Sequence, residues 1–201
     1  MPTDARPGYW AKRALDCTLA AGGLALTWPL WILIALLIRC DSPGPVLFRA
    51  TRVGRHGRPF TMYKFRTMQV DAEARLAELA HRNLGGAYMI KIPDDPRVTR
   101  WGRLLRRTSL DELPQLLNVL RGAMSLVGPR PQAPNEVALY TPQQRRRLAV
   151  LPGITGLWQV TARHSPSFDE WVRLDLAYID GWSLGLDLQI LAQTLRAVFR
   201  G

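Results

Sequence analysis

Cysteine and histidine are scarce in this chain of 201 residues. Two cysteines, Cys17 and Cys40, cannot form a disulfide framework or a zinc site built on paired cysteines. A reducing compartment is therefore expected. The three histidines, His56, His81 and His164, are far apart in sequence and have no ligand or triad spacing. We interpret them as surface residues.

Acidic residues are also few, since 16 Asp and Glu face 27 Lys and Arg and give a formal net charge of +11. Such an excess indicates a polyanionic partner, namely nucleic acid, an anionic membrane surface or a phosphorylated substrate. Nearly all the cations are arginine, whose planar guanidinium binds oxyanions through two donors. The composition therefore favours phosphate slightly. The apolar fraction of 47% is typical of a chain with a packed core.

Charged residues are absent from residues 17–38, a stretch long enough to span a hydrocarbon core. Pro29 stands near its middle, where proline removes a backbone hydrogen bond and kinks a helix. Both flanks are basic, with Lys12 and Arg13 before the stretch and several arginines after it. Because positive charge tends to stay in the cytoplasm, both ends are expected on that side.

A re-entrant helix-break-helix that turns at Trp28-Pro29 satisfies both features, and an ordinary kinked span remains the alternative. The carbonyls freed by Pro29 would need donors, for which Thr27 is a candidate. Asp16 is expected to pair with Arg13 at the membrane boundary. We divide the chain into a membrane-associated segment, 1–40, and a cytoplasmic domain, 41–201.

The rest of the chain is predicted to be helix-rich with a small sheet, an α+β class. Alternating apolar residues on both sides of Gly54-Arg55-His56-Gly57 predict a β-hairpin. Asp94-Asp95-Pro96 is interpreted as a turn rather than a metal motif. Helices are predicted over 71–83, 98–106, 110–121, 142–150, 168–180 and 186–199, with Thr141 as a cap before Pro142.

Asp111 and Glu112 form an acidic doublet at the start of the predicted helix 110–121. One interpretation is a capping box, with Ser109 as the N-cap and Glu112 three residues later. The other is chemical, because a helix N-terminus and nearby arginines bind phosphate. An ionised aspartate can attack phosphorus, and the glutamate can hold Mg²⁺. The two interpretations are compatible.

Further basic residues stand in segments that could handle phosphate. Arg106 precedes the doublet, and Lys64 and Arg66 are expected on one face of a strand. Rigid Gly/Pro-containing turns present Arg130 and, just beyond the stretch 152–160, Arg163. For each arginine alone, a solvated surface position is the simpler interpretation.

Five segments together resemble the bacterial sugar transferases, the monotopic phosphoglycosyl transferases that start lipid-linked glycan assembly. They read LTWPLWILIALLIR, SPGPVLF, YKFRTM, RTSLDELPQLLNVLRGAMSLVGPRP and PGITGLWQV. The similarity runs from about Lys12 to the C-terminus. The family's re-entrant helix breaks at a Ser-Pro pair, and the matching pair here is Trp28-Pro29. The serine hydroxyl is thus missing.

The resemblance implies a membrane-bound enzyme that moves a sugar-1-phosphate from a UDP-sugar to polyprenyl phosphate, with release of UMP. It implies that Asp111 is a nucleophile forming a covalent phosphosugar and that Glu112 binds Mg²⁺. It also implies the bacterial inner membrane, with the catalytic domain on the cytoplasmic face. With only a short leader before the apolar segment, the chain resembles the minimal catalytic form, and a homodimer is compatible with the fold.

Two alternatives stay open at this point. Transfer could occur directly in a ternary complex, with Asp111 acting only as a base or metal ligand. A non-enzymatic, basic membrane-bound module that binds anionic lipid or nucleic acid would also explain the charge and the apolar segment. We expect no nucleic-acid partner, because such a module gives no reason for the carboxylate pair.

Overall fold

The computed structural model describes residues 7–83, 92–162, 165 and 167–200, without the side chains of residues 198–200. This part of the chain is mostly helical with two small sheets, which confirms the predicted α+β class. Its helices are α1 (Tyr9–Asp41), α2 (Arg100–Arg107), α3 (Gln115–Leu120), α4 (Pro134–Ala138), α5 (Pro142–Arg145), α6 (Leu157–Thr161), α7 (Phe168–Asp180) and α8 (Leu184–Arg200). Its strands are β1 (Leu47–Val53), β2 (Pro59–Phe65), β3 (Ser125–Val127) and β4 (Gly153–Thr155).

Helix α1 has 33 residues and is long and apolar enough to cross a membrane, by length and composition. It continues through Trp28 and Pro29, so the predicted break does not interrupt the helix. The Thr27 hydroxyl donates to the Gly23 carbonyl at 2.7 Å. Proline at position 29 deprives the Ala25 carbonyl of its usual N–H partner. Thr27 was predicted to donate to a carbonyl freed by Pro29, but it donates to the Gly23 carbonyl and not to that of Ala25.

One face of α1 packs on the rest of the protein and the other carries exposed apolar side chains. Ala20, Ile34 and Ile38 are buried. Large apolar side chains remain exposed along the helix: Trp10, Leu19, Leu26, Trp28, Ile32, Leu33 and Leu36. An apolar face of this size needs cover other than water.

Polar contacts tie the first turns of α1 to the domain. The buried Asp16 carboxylate accepts from the Ser125 hydroxyl at 2.8 Å and lies 3.5 Å from Lys12 Nζ. Arg13 donates to the Val119 carbonyl at 2.5 Å, at the end of α3. The predicted pair of Arg13 with Asp16 is therefore wrong, because both side chains bond groups distant in sequence.

Strands β1 and β2 form the predicted antiparallel hairpin, in a register that runs from Leu47 opposite Phe65 to Val53 opposite Pro59. A short 3-10 turn, Arg55–Gly57, connects them. The parallel pair of β3 and β4 was not predicted. Each of these strands has three residues, too few for an alternating pattern to be visible in the sequence.

Some of the predicted helices are confirmed, and others are not α-helical over their whole length. The helices predicted over 168–180 and 98–106 are confirmed by α7 and α2, and Thr141 caps α5 by accepting from the Gln144 N–H. The predicted helix 142–150 passes into a 3-10 segment after Arg145. The predicted helix 71–83 consists of 3-10 turns over Ala74–Arg82.

Two apolar clusters support these elements. The larger one includes Val119, Met124 and Ile190, and contains Trp158 stacked on Trp171 with ring centroids 4.1 Å apart. The smaller one joins α1 to the hairpin and α2, through Ile34, Ile38, Phe65 and Leu105. Leu110 and Leu113 pack against this smaller cluster, on either side of the acidic doublet.

Candidate active site

The acidic doublet lies in a 3-10 turn, Leu110–Glu112, that precedes α3. Ser109 has a left-handed backbone (φ 57°) and its side chain makes no capping hydrogen bond. Helix α3 begins only at Gln115, after Pro114. The predicted capping box is therefore wrong, which leaves the Glu112 side chain available for other contacts.

Glu112 Oε1 contacts two cations from different parts of the fold. Lys64 Nζ, near the end of β2, lies 2.7 Å away, and Arg130 Nη2, just beyond β3, lies 3.0 Å away. Lys64 Nζ is also 3.8 Å from Asp111 Oδ2. The turn, the hairpin and the segment after β3 thus meet at two adjacent carboxylates, with Asp111 itself buried.

The two carboxylates have opposite pKa shifts. Burial would raise the pKa of Glu112, but the charges and hydrogen bonds of Lys64 and Arg130 outweigh it and hold that pKa below its ordinary value. The pKa of Asp111 is raised, mainly by burial and further by the Glu112 charge, against the opposing effects of Lys64 and Arg106. Desolvation is thus the largest single effect on the pKa of Asp111, and the surrounding cations oppose it.

Arg130 and Arg106 complete the positive surroundings of the doublet. The Glu112 charge raises the pKa of Arg130, against burial. Arg106 donates from Nε to the Thr67 hydroxyl at 2.9 Å. Burial lowers the pKa of Arg106 while the Asp111 charge raises it, but a guanidinium stays protonated at any physiological pH.

Arg66 lies elsewhere, although it was predicted to share a strand face with Lys64. Its guanidinium donates to the Pro43 carbonyl at 2.5 Å and to the Ser42 carbonyl at 2.7 Å, and it is buried. Arg66 follows the last residue of β2 and fixes the turn after α1. Its observed contacts are therefore structural, and Arg163 lies outside the described residues.

Asp95 also has a structural role, as the turn interpretation of Asp94-Asp95-Pro96 expects. Its carboxylate forms a buried ion pair with Arg97 Nη2 at 2.7 Å, and Arg97 reaches the Ala72 carbonyl at 2.9 Å. The Asp95 carboxylate thus stabilises its own loop.

Two contributors to the site were missed from the sequence. Thr67 supports Arg106, and Asn118 joins β2 to α3 through its side-chain amide, which accepts from the Tyr63 N–H at 3.0 Å. Asn118 could have been noticed as the one amide inside the apolar run LLNVL, since such a buried amide needs partners.

The donor set fits a magnesium ion bound jointly by protein and substrate. No cluster of three or more His, Cys, Asp or Glu residues suited to a metal occurs in the described part of the chain. Mg²⁺ is commonly held by one or two carboxylates, with substrate phosphates and water as the remaining ligands. Glu112 is kept ionised, and its Oε1 already faces two cations, so its Oε2 is the oxygen that suits the ion.

Comparisons of this chain with a family model and with known proteins all indicate sugar transferases. The model of the bacterial sugar transferase family matches residues 8–201. The galactosyl transferase CpsE of Streptococcus agalactiae is 48% identical over 95% of this chain and 42% of its own length. An undecaprenyl-phosphate galactose phosphotransferase of Salmonella typhimurium is 41% identical over 97% of this chain and 42% of its own. A UDP-glucose:undecaprenyl-phosphate glucose-1-phosphate transferase of Caulobacter vibrioides is 44% identical, over 92% and 68% respectively.

The chain thus spans less than half the length of the first two of these relatives. The match covers the apolar helix α1, the hairpin, the acidic turn and the segment that bears Arg130, all of which belong to the geometry described above. The chain belongs to the bacterial sugar transferase family.

Proposed function

We propose that the protein transfers a sugar-1-phosphate from a UDP-sugar to polyprenyl phosphate and releases UMP. The observation that carries this proposal is the adjacent pair of the buried Asp111 and the half-buried Glu112, faced by Lys64, Arg130 and Arg106. Phosphoryl transfer depends on positioning and on neutralising charge, and this site offers both. A relative whose name specifies UDP-glucose and undecaprenyl phosphate supports the choice.

Asp111 is the proposed nucleophile. One of its carboxylate oxygens forms a bond to the sugar-bearing phosphorus, and the bond from that phosphorus to the UMP oxygen breaks. A phosphate oxygen of the polyprenyl phosphate then attacks the same phosphorus and displaces the carboxylate, which restores Asp111. The raised pKa of Asp111 suits this role, because a more basic carboxylate is the better nucleophile once it is ionised.

Glu112 has the complementary role of a permanent anion. Lys64 and Arg130 fix its orientation and keep its pKa low. A bound Mg²⁺ would neutralise negative charge on the diphosphate. Glu112 is the residue we assign to hold it, with Arg106, Arg130 and Lys64 available to the phosphate oxygens.

Both substrates are anionic and one is a lipid, so the site should lie at the membrane surface. Helix α1 supports this position with its exposed apolar face and its basic flanks. Leu110 and Leu113 pack on the cluster that contains Ile34 and Ile38, near the end of α1, which links the acidic turn to the proposed membrane segment. We propose that α1 lies in the bacterial inner membrane, with the domain on the cytoplasmic face, at the first membrane step of surface-polysaccharide assembly. The basic flanks favour a re-entrant path, which requires the continuous helix α1 to bend at Pro29 in the bilayer.

The experiment is a UMP-release assay with polyprenyl phosphate, Mg²⁺ and a panel of UDP-glucose, UDP-galactose and N-acetylated UDP-sugars. We expect release from at least one donor, loss of release in Asp111→Asn, and an unchanged rate in Asp71→Asn, which alters an exposed carboxylate. No release from any donor would reject the enzyme and favour a non-enzymatic basic module.

The topology has its own test. Single cysteines placed at residues 5 and 45, in a chain without Cys17 and Cys40, are labelled from the cytoplasmic or the periplasmic side. A re-entrant α1 predicts that both are labelled from the cytoplasmic side. Labelling from opposite sides would establish an ordinary span.

A further inference from the structure

The side-chain amide of Asn118 occupies the open edge of strand β2. The hairpin sheet has two strands, so β2 pairs with β1 on one edge. On the other edge, Asn118 Oδ1 accepts from the Tyr63 N–H at 3.0 Å and Nδ2 donates to the Thr61 carbonyl at 2.7 Å. Asn118 is 2% exposed, so neither contact is readily replaced by water.

An asparagine amide suits this position because it carries a donor and an acceptor side by side. Residues Thr61 and Tyr63 present a carbonyl and an N–H on the same strand edge, two positions apart. The amide therefore forms hydrogen bonds with the backbone groups of β2 that a neighbouring strand would otherwise bond. Aspartate lacks the donor, and alanine lacks both groups.

Strand β2 and the segment that leads into α3 also meet at the proposed catalytic site. Tyr63 is followed by Lys64, whose Nζ lies 2.7 Å from Glu112. Asn118 lies six residues after Glu112, inside the short helix α3. Strand β2 is thus connected to the stretch from Glu112 to Asn118 at both ends, by Lys64 at Glu112 and by the backbone of Thr61 and Tyr63 at Asn118. The contact with the buried Asn118 amide fixes the position of β2 relative to that stretch.

We propose that Asn118 is a positioning residue that sets Lys64 against the two carboxylates. This inference rests on the proposed function for its effect on rate. Without the Asn118 amide, the Tyr63 N–H and the Thr61 carbonyl lose the partners that hold this edge of β2, and β2 shifts. Lys64 then no longer stays 2.7 Å from Glu112 and 3.8 Å from Asp111.

The test compares Asn118→Ala, Asn118→Asp and the control Gln144→Ala. Gln144 is also a buried amide, and its Oε1 accepts from the Thr141 N–H at 2.9 Å, in the cap of α5. The kcat and KM of UMP release are measured for each variant, alone and combined with Lys64→Met. Acetylation of Lys64 by acetic anhydride, read by peptide mass spectrometry, reports the position of the amine without any turnover.

We expect Asn118→Ala to lower kcat roughly 10- to 100-fold, with KM for the donor changed less than about threefold, since misplacement by about 1 Å has effects of this size. Asn118→Asp keeps the acceptor for the Tyr63 N–H, so its kcat should fall less than that of Asn118→Ala. Combined with Lys64→Met, the Asn118→Ala effect should shrink to about twofold or less, because both act through one lysine. Lys64 acetylation should rise in Asn118→Ala and stay unchanged in Gln144→Ala.

Independent effects of Asn118→Ala and Lys64→Met, multiplying in the double variant, would overturn the inference, as would wild-type Lys64 acetylation in Asn118→Ala. If the wild-type protein releases no UMP from any donor, the proposed function fails. The acetylation result still decides the position of Lys64 in that case. The two failures are therefore distinguishable.

Discussion

Lys64 Nζ lies 2.7 Å from Glu112 Oε1, in a contact between the penultimate residue of β2 and the turn before α3. The same amine is 3.8 Å from Asp111 Oδ2, too far for a hydrogen bond. Lys64 therefore neutralises the charge of Glu112 more effectively than that of Asp111, and Arg130 adds a second positive charge beside Glu112. Asp111 is left buried and more basic, so the two adjacent carboxylates are suited to different roles.

Replacing Glu112 by glutamine tests its role as a permanent anion. Glu112→Gln keeps the shape but leaves Lys64 and Arg130 without their carboxylate, so UMP release should fall at least about 100-fold, the scale for loss of one electrostatic group in an active site. The dependence of the rate on Mg²⁺ should also weaken. Glu73→Gln, at an exposed position, is the matched control. A Glu112→Gln rate within about twofold of the wild type would reject this role.

The acid side of the pH profile should reflect Asp111. Its pKa is raised from the ordinary 3.8, first by burial, so the protonated, non-nucleophilic form persists to higher pH than for an exposed aspartate. The kcat/KM for UMP release should rise with pH through this shifted pKa. Lys64 opposes the shift, so Lys64→Met should move the rise to still higher pH. A shift to lower pH in Lys64→Met would contradict the assignment.

Arg66 should behave as a structural residue. Arg66→Met removes the donors to the Ser42 and Pro43 carbonyls, and the lost hydrogen bonds should lower the free energy of unfolding by about 1–3 kcal/mol. The KM for the donor should change less than threefold, since the guanidinium is occupied. The exposed Arg49→Met is the control. A tenfold rise in KM with unchanged thermal stability would restore the predicted phosphate-binding role.

Gly102 should tolerate no larger side chain. A Cβ at this position would lie 2.1 Å from the Thr67 carbonyl oxygen, so α2 would have to move away from the residue that supports Arg106. Gly102→Ala should lower the free energy of unfolding by about 1–3 kcal/mol and reduce UMP release. In Gly185→Ala the nearest atom is 3.8 Å away, so thermal melting should be unchanged or slightly higher. Equal melting temperatures for the two variants would contradict this packing.

The sequence was most informative where local pattern and tertiary structure agree. Helix α7 and the hairpin follow from periodicity and turn residues, and the doublet, Lys64 and Arg130 were predicted as parts of one site. The predicted capping box failed because Ser109 has a left-handed backbone and Glu112 bonds residues distant in sequence.

Other features depend on long-range contacts that no local pattern reveals. The strand alternation that places Lys64 and Arg66 on one face ends at Phe65, after which Arg66 turns to the carbonyls beyond α1. The pairing of β3 with β4 joins segments separated by more than 20 residues. The raised pKa of Asp111 follows from burial, which charges near it in sequence do not indicate.

Intact-protein mass spectrometry of the protein incubated with its UDP-sugar and Mg²⁺, without lipid, tests the central claim most directly. A nucleophilic Asp111 predicts a mass increase of one phosphosugar, release of one UMP per chain, fragmentation that maps the group to Asp111, and its loss when polyprenyl phosphate is added. Asp111→Asn should remain unmodified. An active protein that acquires no adduct, and releases UMP only when both substrates are present, would contradict the covalent mechanism and establish direct transfer.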